Sequence, residues 1–317
     1  MNANGLSTAQ AQTREAFSFK WSKSDTYASP QVREEWRRWL LDKYFDGDQD
    51  APGAFLGVGP TRILDAGCGA GMSALLLFGD NLKDHDYVGV DISDAVIEAK
   101  RNFEVEGIQG TFVQGNLQAL PDELGTFDLI FSEGVLHHTD SVQDSLAYLA
   151  TRLNPGGQIA FYVYAKKAPI REFTDDMVRS AIANLSDEEA WDVLMPLSAL
   201  GKALGDLEVT VEVPEDIPML GIARGSYDLQ RLFFYKICKA YFRPNYSLEE
   251  MNHINFDWFR PENCWRHTTD EVEGFCAAAG LQIVRLNESE SGVTVIAARP
   301  DALVGAKPDI AVGGTGG

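Results

Sequence analysis

Continuous apolar runs alternate with helical periodicity through most of this chain. The runs at 62–66, 87–91, 111–114, 127–132 and 158–164 lack the polar alternation of a half-solvated strand, so they predict strands covered on both faces. Between them, 71–78, 93–104 and 142–153 carry helical spacing. Strand and helix in alternation predict a parallel sheet with right-handed crossovers. Further on, the apolar segments 281–287 and 292–298 flank a polar link at 288–291, a hairpin signature that closes the sheet with an antiparallel strand. Thr268 and Glu271 form a capping box for the helix before the hairpin, and Gly280 is placed to end that helix.

Two regions break this rhythm. Val32, Trp36, Trp39, Leu40 and Tyr44 recur at helical spacing, predicting an amphipathic helix ahead of the sheet. From 166 to 267 the pattern is helical, with a stretch at 186–200 capped by Ser186 and Glu189 and an aromatic-rich one at 227–242. That interval is expected to be an insertion at the carboxyl edge of the sheet. The expected organisation is a lead-in and helix over 1–50, a core over 51–165, the insertion over 166–267, the last helix and hairpin over 268–300, and a disordered tail over 301–317. The polar stretch 1–15 reads as mobile, and neither it nor the tail is expected to carry chemistry.

Composition narrows the partners. With 47 acidic against 27 basic residues, the formal charge of −20 repels phosphate backbones and anionic lipid surfaces, so neither nucleic acid nor membrane is an expected partner. A local basic patch would escape this average-field argument. No apolar run approaches the roughly 20 residues that span a bilayer, and the first residues lack a charged-then-apolar signal pattern. Cys68, Cys238, Cys264 and Cys276 form no CxxC pair, which fits a reducing, cytoplasmic location. Cys264 and His267 have the spacing of half a metal site without a second half, so no metal is expected. No motif bears on oligomeric state.

Candidate chemistry starts where the first strand runs into Asp65-Ala66-Gly67-Cys68-Gly69-Ala70-Gly71 and a helix. Glycines there let backbone approach a ligand beside a helix N-terminus. Asp91 ends the second strand twenty residues after Gly71, where a carboxylate can accept hydrogen bonds from both hydroxyls of a ribose. A dinucleotide fingerprint would place its third glycine at position 72, which is Met72, and Asp65 would repel a pyrophosphate. A nicotinamide dehydrogenase is thereby disfavoured.

The segment from Asp65 to Gly71 resembles class I S-adenosylmethionine (SAM)-dependent methyltransferases, in which an acid precedes GxGxG. Phe127-Asp128-Leu129-Ile130-Phe131-Ser132-Glu133-Gly134-Val135-Leu136-His137-His138 is similar to the fourth-strand motif of their small-molecule members, and Asn154-Pro155-Gly156-Gly157 matches ahead of the fifth strand. The resemblance covers roughly 62–157 and the final hairpin. It implies an α/β, Rossmann-like, seven-stranded, mostly parallel sheet with a C-terminal antiparallel hairpin and the helical insertion after the fifth strand. It also implies SAM as cofactor and a small-molecule acceptor. Gly67, Gly69 and Gly71 would pack on the methionine portion, Asp65 would help hold its ammonium group, Asp91 would bind the ribose, and Ile92, Leu117 and Ser132 would complete the site. The family shows an aspartate after the third strand for the adenine amino group; Asn116 stands there and keeps an acceptor oxygen.

Methyl transfer is an in-line displacement at a sulfonium, so the protein must align the acceptor, exclude water and, where needed, remove a proton. His137 is the favoured general base, with His138 beside it at the substrate; the bland alternative is that both shape the loop. Phe17, Phe19, Trp21 and Tyr27 form an aromatic lead-in, with Trp21 and Tyr27 the candidates to cover the cofactor; anchoring of a terminus is an equal alternative. Tyr162 and Tyr164 end the fifth strand and, with Asn255 and Trp258 from the cluster 252–260, make the candidate substrate pocket. Most of that cluster is expected to pack as the insertion's own core. Two other functions fit the same cofactor motifs: a SAM-consuming enzyme that cyclises the aminobutyrate chain and releases methylthioadenosine, or transfers another group, and a SAM-binding regulator without catalysis.

Overall fold

In the computed structural model, residues 6–22 and 30–300 are described; Tyr27 and the segment 301–317 lie outside them. Helix α1 (Thr8–Ser22) comes first, then α2 (Pro30–Phe45) and α3 (Ala51–Leu56). The expectation of a mobile polar stretch over 1–15 is corrected from Thr8 onward. Helix α1 docks through polar groups in its first half and through Phe17, Phe19 and Trp21 in its second. Gln12 exchanges hydrogen bonds with Arg260 and Glu262, and Thr13 accepts one from the Asn263 amide. Ala16 is buried against the insertion.

The parallel half of the sheet follows: β1 (Arg62–Ala66), α4 (Met72–Phe78), β2 (Asp86–Asp91), α5 (Val96–Val105), β3 (Thr111–Gln114), β4 (Phe127–Glu133), α6 (Val142–Thr151) and β5 (Leu153–Tyr164). Period-two alternation along β1 sends Leu64 and Ala66 to one face and Ile63 to the other. The first face packs on Leu146 and Leu149 of α6. The second packs on Leu40 of α2, Leu75 of α4 and Phe103 of α5.

After β5 the chain leaves the sheet through α7 (Pro169–Ile182), α8 (Asp187–Gly205), the antiparallel pair β6 (Thr210–Val213) and β7 (Gly225–Asp228), α9 (Leu229–Lys236) and α10 (Leu248–Phe259). The strand pair departs from the all-helical expectation. The helix expected over 227–242 also ends early, at Lys236. Residues beyond it cross α8 at Gly201, where an added Cβ would lie 2.7 Å from the Ala240 carbonyl oxygen. Side chains take over the backbone pairing there: Gln230 donates to the Ala240 carbonyl at 2.8 Å and the Asn255 side-chain oxygen accepts from the Tyr241 amide at 3.1 Å.

Helix α11 (Thr269–Ala278), begun by the Thr268–Glu271 capping box, leads to the hairpin β8 (Gln282–Glu288) and β9 (Gly292–Ala298). The sheet runs β3-β2-β1-β4-β5-β9-β8, with β9 antiparallel to both its neighbours. Strand order reverses beside β1, so a crevice opens at the carboxyl ends of β1 and β4. Among the described residues no helix is long and apolar enough to cross a membrane.

Candidate active site

The loop after β1 is held in a shape that side chains resist. Gly67, Gly69 and Gly71 have φ of +91°, +50° and +77°. An added Cβ at Gly67 would lie 2.2 Å from Val135, and one at Gly69 would lie 2.9 Å from the indole of Trp21. The amides of Gly67 and Cys68 both donate to the Val90 carbonyl, and the Gly69 amide donates to the Asp91 carboxylate at 2.9 Å. Asp91 also accepts from the Ser93 amide and hydroxyl at 2.8 and 2.6 Å. Burial lifts its carboxyl above the usual range against those three donors. Three of about four lone-pair positions are used, so one ribose hydroxyl fits at once and a second when Ser93 rotates.

Ile92, Asn116 and Leu117 border the same cavity. The Asn116 side-chain oxygen accepts from the Gln118 amide at 2.9 Å, forming a local turn, and its second lone pair is left for an amino group. This cradle of backbone, a ribose-facing carboxylate and an amide fits a nucleoside cofactor.

Asp65 and Ser132 sit elsewhere. Asp65 shares the face of Ile63, does not itself border the cavity, and accepts a hydrogen bond from the Tyr87 hydroxyl. Burial raises its carboxyl to about 7, with Asp91 and Glu133 adding to the rise and Tyr87 opposing it. Ser132 is buried and donates to the Ala66 carbonyl at 2.8 Å, tying β4 to β1. The carboxylate that does border the cavity at this end is Glu133, which is ion-paired to Lys43 and accepts from the Tyr44 hydroxyl at 2.7 Å. Burial lowers the Lys43 ammonium to about 8 against the pull of Glu133.

The cavity, of about 330 Å³, extends from the glycine loop to the insertion, with α1 and α2 contributing walls. Trp21, Tyr162, Tyr164, Trp258 and His138 all border it. Tyr164 donates to Asp257 at 3.0 Å and stacks on Trp258 with ring centres 4.5 Å apart. Asn255, expected at the substrate, is instead committed to a buried network that includes Ser198 at 2.8 Å and the Tyr241 amide.

The two histidines differ. His137 is not at the cavity wall; it lies 3.6 Å from the Tyr164 ring centre, and neither of its nitrogens has a partner among the described residues. Burial drives its pKa well down, with His138 adding to the effect. His138 approaches the Asn263 carbonyl through Nδ1 at 2.7 Å, so Nδ1 must donate and Nε2, buried and unpartnered, keeps its lone pair. Burial lowers His138 to about 4, opposed by Asp257.

Two groups of wall residues escape the apolar pattern. Gln10, Thr13 and Lys20 come from α1, and Lys20 pairs with Asp257 at 2.5 Å. Lys167, Arg171, Arg231, Lys239 and Arg243 come from the insertion. Three of them, Arg231, Lys239 and Arg243, fall in a short stretch with few acids, but Lys167 and Arg171 lie far from it in sequence.

Residues 63–157 match the methyltransferase-domain family. The chain is 32% identical over 133 residues to a tRNA U34 carboxymethyltransferase of Pseudoalteromonas translucida, covering 41% of this chain and 38% of that protein. It is 31% identical over 110 residues to a malonyl-[acyl-carrier protein] O-methyltransferase of Legionella pneumophila, covering 34% of this chain and 37% of that one. It therefore spans less than two-fifths of the length of either relative. Among solved structures, a magnesium protoporphyrin IX methyltransferase of Synechocystis with bound SAM is 14% identical, with a TM-score of 0.47 over 94% of this chain and 100% of that one.

Proposed function

We infer, from the premise that residues 63–157 form a class I SAM-dependent methyltransferase domain, that the whole chain transfers a methyl group to a small-molecule acceptor by in-line displacement. The observation that carries this is a cavity of about 330 Å³ bordered both by the glycine loop and by the insertion, so that a cofactor on the loop would face a wall supplied by the insertion. The two relatives are named for different acceptors, a tRNA and an acyl-carrier protein, so the segment held in common does not choose the acceptor. A walled cavity and a net charge of −20 favour a small molecule over a nucleic acid.

SAM, when bound, supplies a methyl group already activated on a sulfonium. Asp91 holds the ribose, Asn116 takes the adenine amino group, and the backbone of Gly67 and Gly69 seats the methionine portion. Glu133, which borders the cavity where Asp65 does not, is the candidate carboxylate for the ammonium. Trp21 against Gly69 closes the site from the α1 side and excludes water. His138 replaces His137 as the candidate proton acceptor, because its tautomer is fixed and its free Nε2 belongs to a residue at the cavity wall.

Incubation of the full chain with methyl-labelled SAM and a fractionated cell extract tests this. S-adenosylhomocysteine and a labelled product of low mass are expected. Release of methylthioadenosine would assign the cyclisation chemistry instead, and label in RNA or protein would overturn the small-molecule acceptor.

A further inference from the structure

Five cations border the part of the cavity supplied by the insertion: Lys167, Arg171, Arg231, Lys239 and Arg243. Against a chain charge of −20 this is a local inversion of sign. Only Arg171 is neutralised by contact, through Asp175 at 2.7 Å. Lys167 donates to the carbonyls of Glu290 and Ser291 at 2.6 and 2.7 Å, Arg231 to the Phe242 carbonyl at 3.1 Å, and Arg243 is hydrogen-bonded to Tyr241. Among the described residues none of these four is ion-paired with a carboxylate. The acids near them are Asp257, already paired with Lys20, Asp175, paired with Arg171, Glu172, paired with Arg266, and Glu35, which faces Arg243.

Lys239 is the most exacting case. It is 6% exposed, and its ammonium finds no hydrogen-bond acceptor among the described residues, lying instead 4.6 Å from the centre of the Trp258 ring. An ammonium on a largely buried side chain, with a ring face as its partner among the described residues and the cavity in front of it, can take an acceptor from a ligand there. Burial lowers both Lys239 and Lys167 to about 7. Around Lys239, Asp257 and Asp175 favour the charged form and Arg171 opposes it. An anion seated here would supply the missing acceptor, and Trp258, Phe234 and Tyr235 at the same wall present flat apolar faces beside it.

We propose that this wall binds the anionic group, a carboxylate or a phosphate, of a planar acceptor molecule, Lys239 and Arg231 being its principal partners. The proposal rests on the methyltransferase reading for the word acceptor, while the anion site itself stands on the insertion's own residues. Guanidinium and ammonium donors converging on one apolar-walled site give an anion both orientation and charge-assisted hydrogen bonds. An anchor of that kind aligns the far end of the acceptor toward the glycine loop.

The test is calorimetric titration of the full chain, loaded with S-adenosylhomocysteine, with sodium benzoate and separately with inorganic phosphate, against sodium chloride at matched ionic strength. Saturable binding of one anion is expected, with proton uptake at about pH 7.5 as Lys239 gains a partner. Lys239→Met and Arg231→Gln should each weaken it roughly tenfold, and Lys239→Met should reduce the proton uptake to what Lys167 contributes. Preference for benzoate would assign a carboxylate and preference for phosphate a phosphate. Absence of saturation beyond chloride, or undiminished binding in both variants, would overturn the proposal. If S-adenosylhomocysteine fails to bind, methyl transfer falls, and the same titration without it still decides the anion site.

Discussion

The Asp65 carboxyl accepts a 2.7 Å hydrogen bond from the Tyr87 hydroxyl and is not at the cavity wall, although Glu133 on the same face of the sheet is. Burial raises its pKa from 3.8 to about 7, so the folded chain holds a proton that the unfolded chain has released. Stability from this group is full below about pH 4 and is lost as pH rises through about 7. Asp65→Asn is expected to flatten that slope and to raise stability above pH 7 by roughly 1–3 kcal/mol, read from urea unfolding midpoints across the range. The same variant should change S-adenosylhomocysteine affinity by less than about threefold. A large loss of affinity would restore Asp65 to the ammonium.

Gly67 joins two constraints: φ of +91° and the contact of its Cα with Val135. Gly67→Ala should cost about 2–4 kcal/mol, one part from backbone strain and one from overlap with Val135. Only the overlap can be relieved from the other side. A cycle with Val135→Ala is therefore expected to give a favourable coupling of roughly 1 kcal/mol in thermal or urea unfolding. Strict additivity would mean that the loop relaxes away from β4 on its own.

How far the sequence foretold this site follows from what kind of signal each residue emits. That Gly67, Gly69 and Asp91 meet at one cavity wall was legible because their positions are set by spacing along one strand-loop-helix unit. The parallel sheet was legible for a related reason, since strands buried on both faces read as continuous apolar runs. The motif gives the position of Asp65 along β1, but not that it lies a step back from the cavity wall, hydrogen-bonded to Tyr87, while Glu133 on the same face borders the cavity. The first half of helix α1 was missed because Gln12 and Thr13 dock it through hydrogen bonds, while its apolar contacts, through Ala16, Phe17, Phe19 and Trp21, fall in the second half. Lys239 and Arg231 were missed because their meaning depends on what packs around them, and a lysine at a cavity wall has the same letter as one in solvent.

His138 and His137 make opposite demands on a variant. His138→Gln removes the free Nε2 and should lower kcat by about a hundredfold with S-adenosylhomocysteine affinity little changed. His137→Gln should act mainly on folding, because that ring is buried against Tyr164 away from the cavity wall. With its folded pKa depressed to about 4, His138 stays neutral through the neutral range, so kcat should show no limb near pH 6.5 from this group. Stability that depends on the neutral ring is complete above about pH 6.5 and is lost as pH falls through about 4. Steady-state kinetics across pH on both variants measures this, and a kcat loss confined to His137→Gln would reverse the assignment.

Lys20 and Asp257 join α1 to α10 at 2.5 Å, and the next residue after Lys20 is the tryptophan that covers Gly69. Burial alone would push the Asp257 carboxyl up, but Lys20, His138 and Lys239 around it hold it well below the ordinary range. Removing one partner of such a pair leaves an uncompensated charge, so Lys20→Met should cost about 3 kcal/mol in urea unfolding. Because α1 then loses an anchor, Trp21 loses its fixed place on Gly69, and S-adenosylhomocysteine affinity should fall roughly tenfold. The double variant Lys20→Met, Asp257→Leu removes both charges and should recover most of the stability, while Tyr164 loses its acceptor. Affinity recovering with stability would mean that α1 needs only to be folded. Stability recovering without affinity would mean that the ion pair itself aligns α1 over the cofactor, which is the outcome expected from its place at the wall of the cavity.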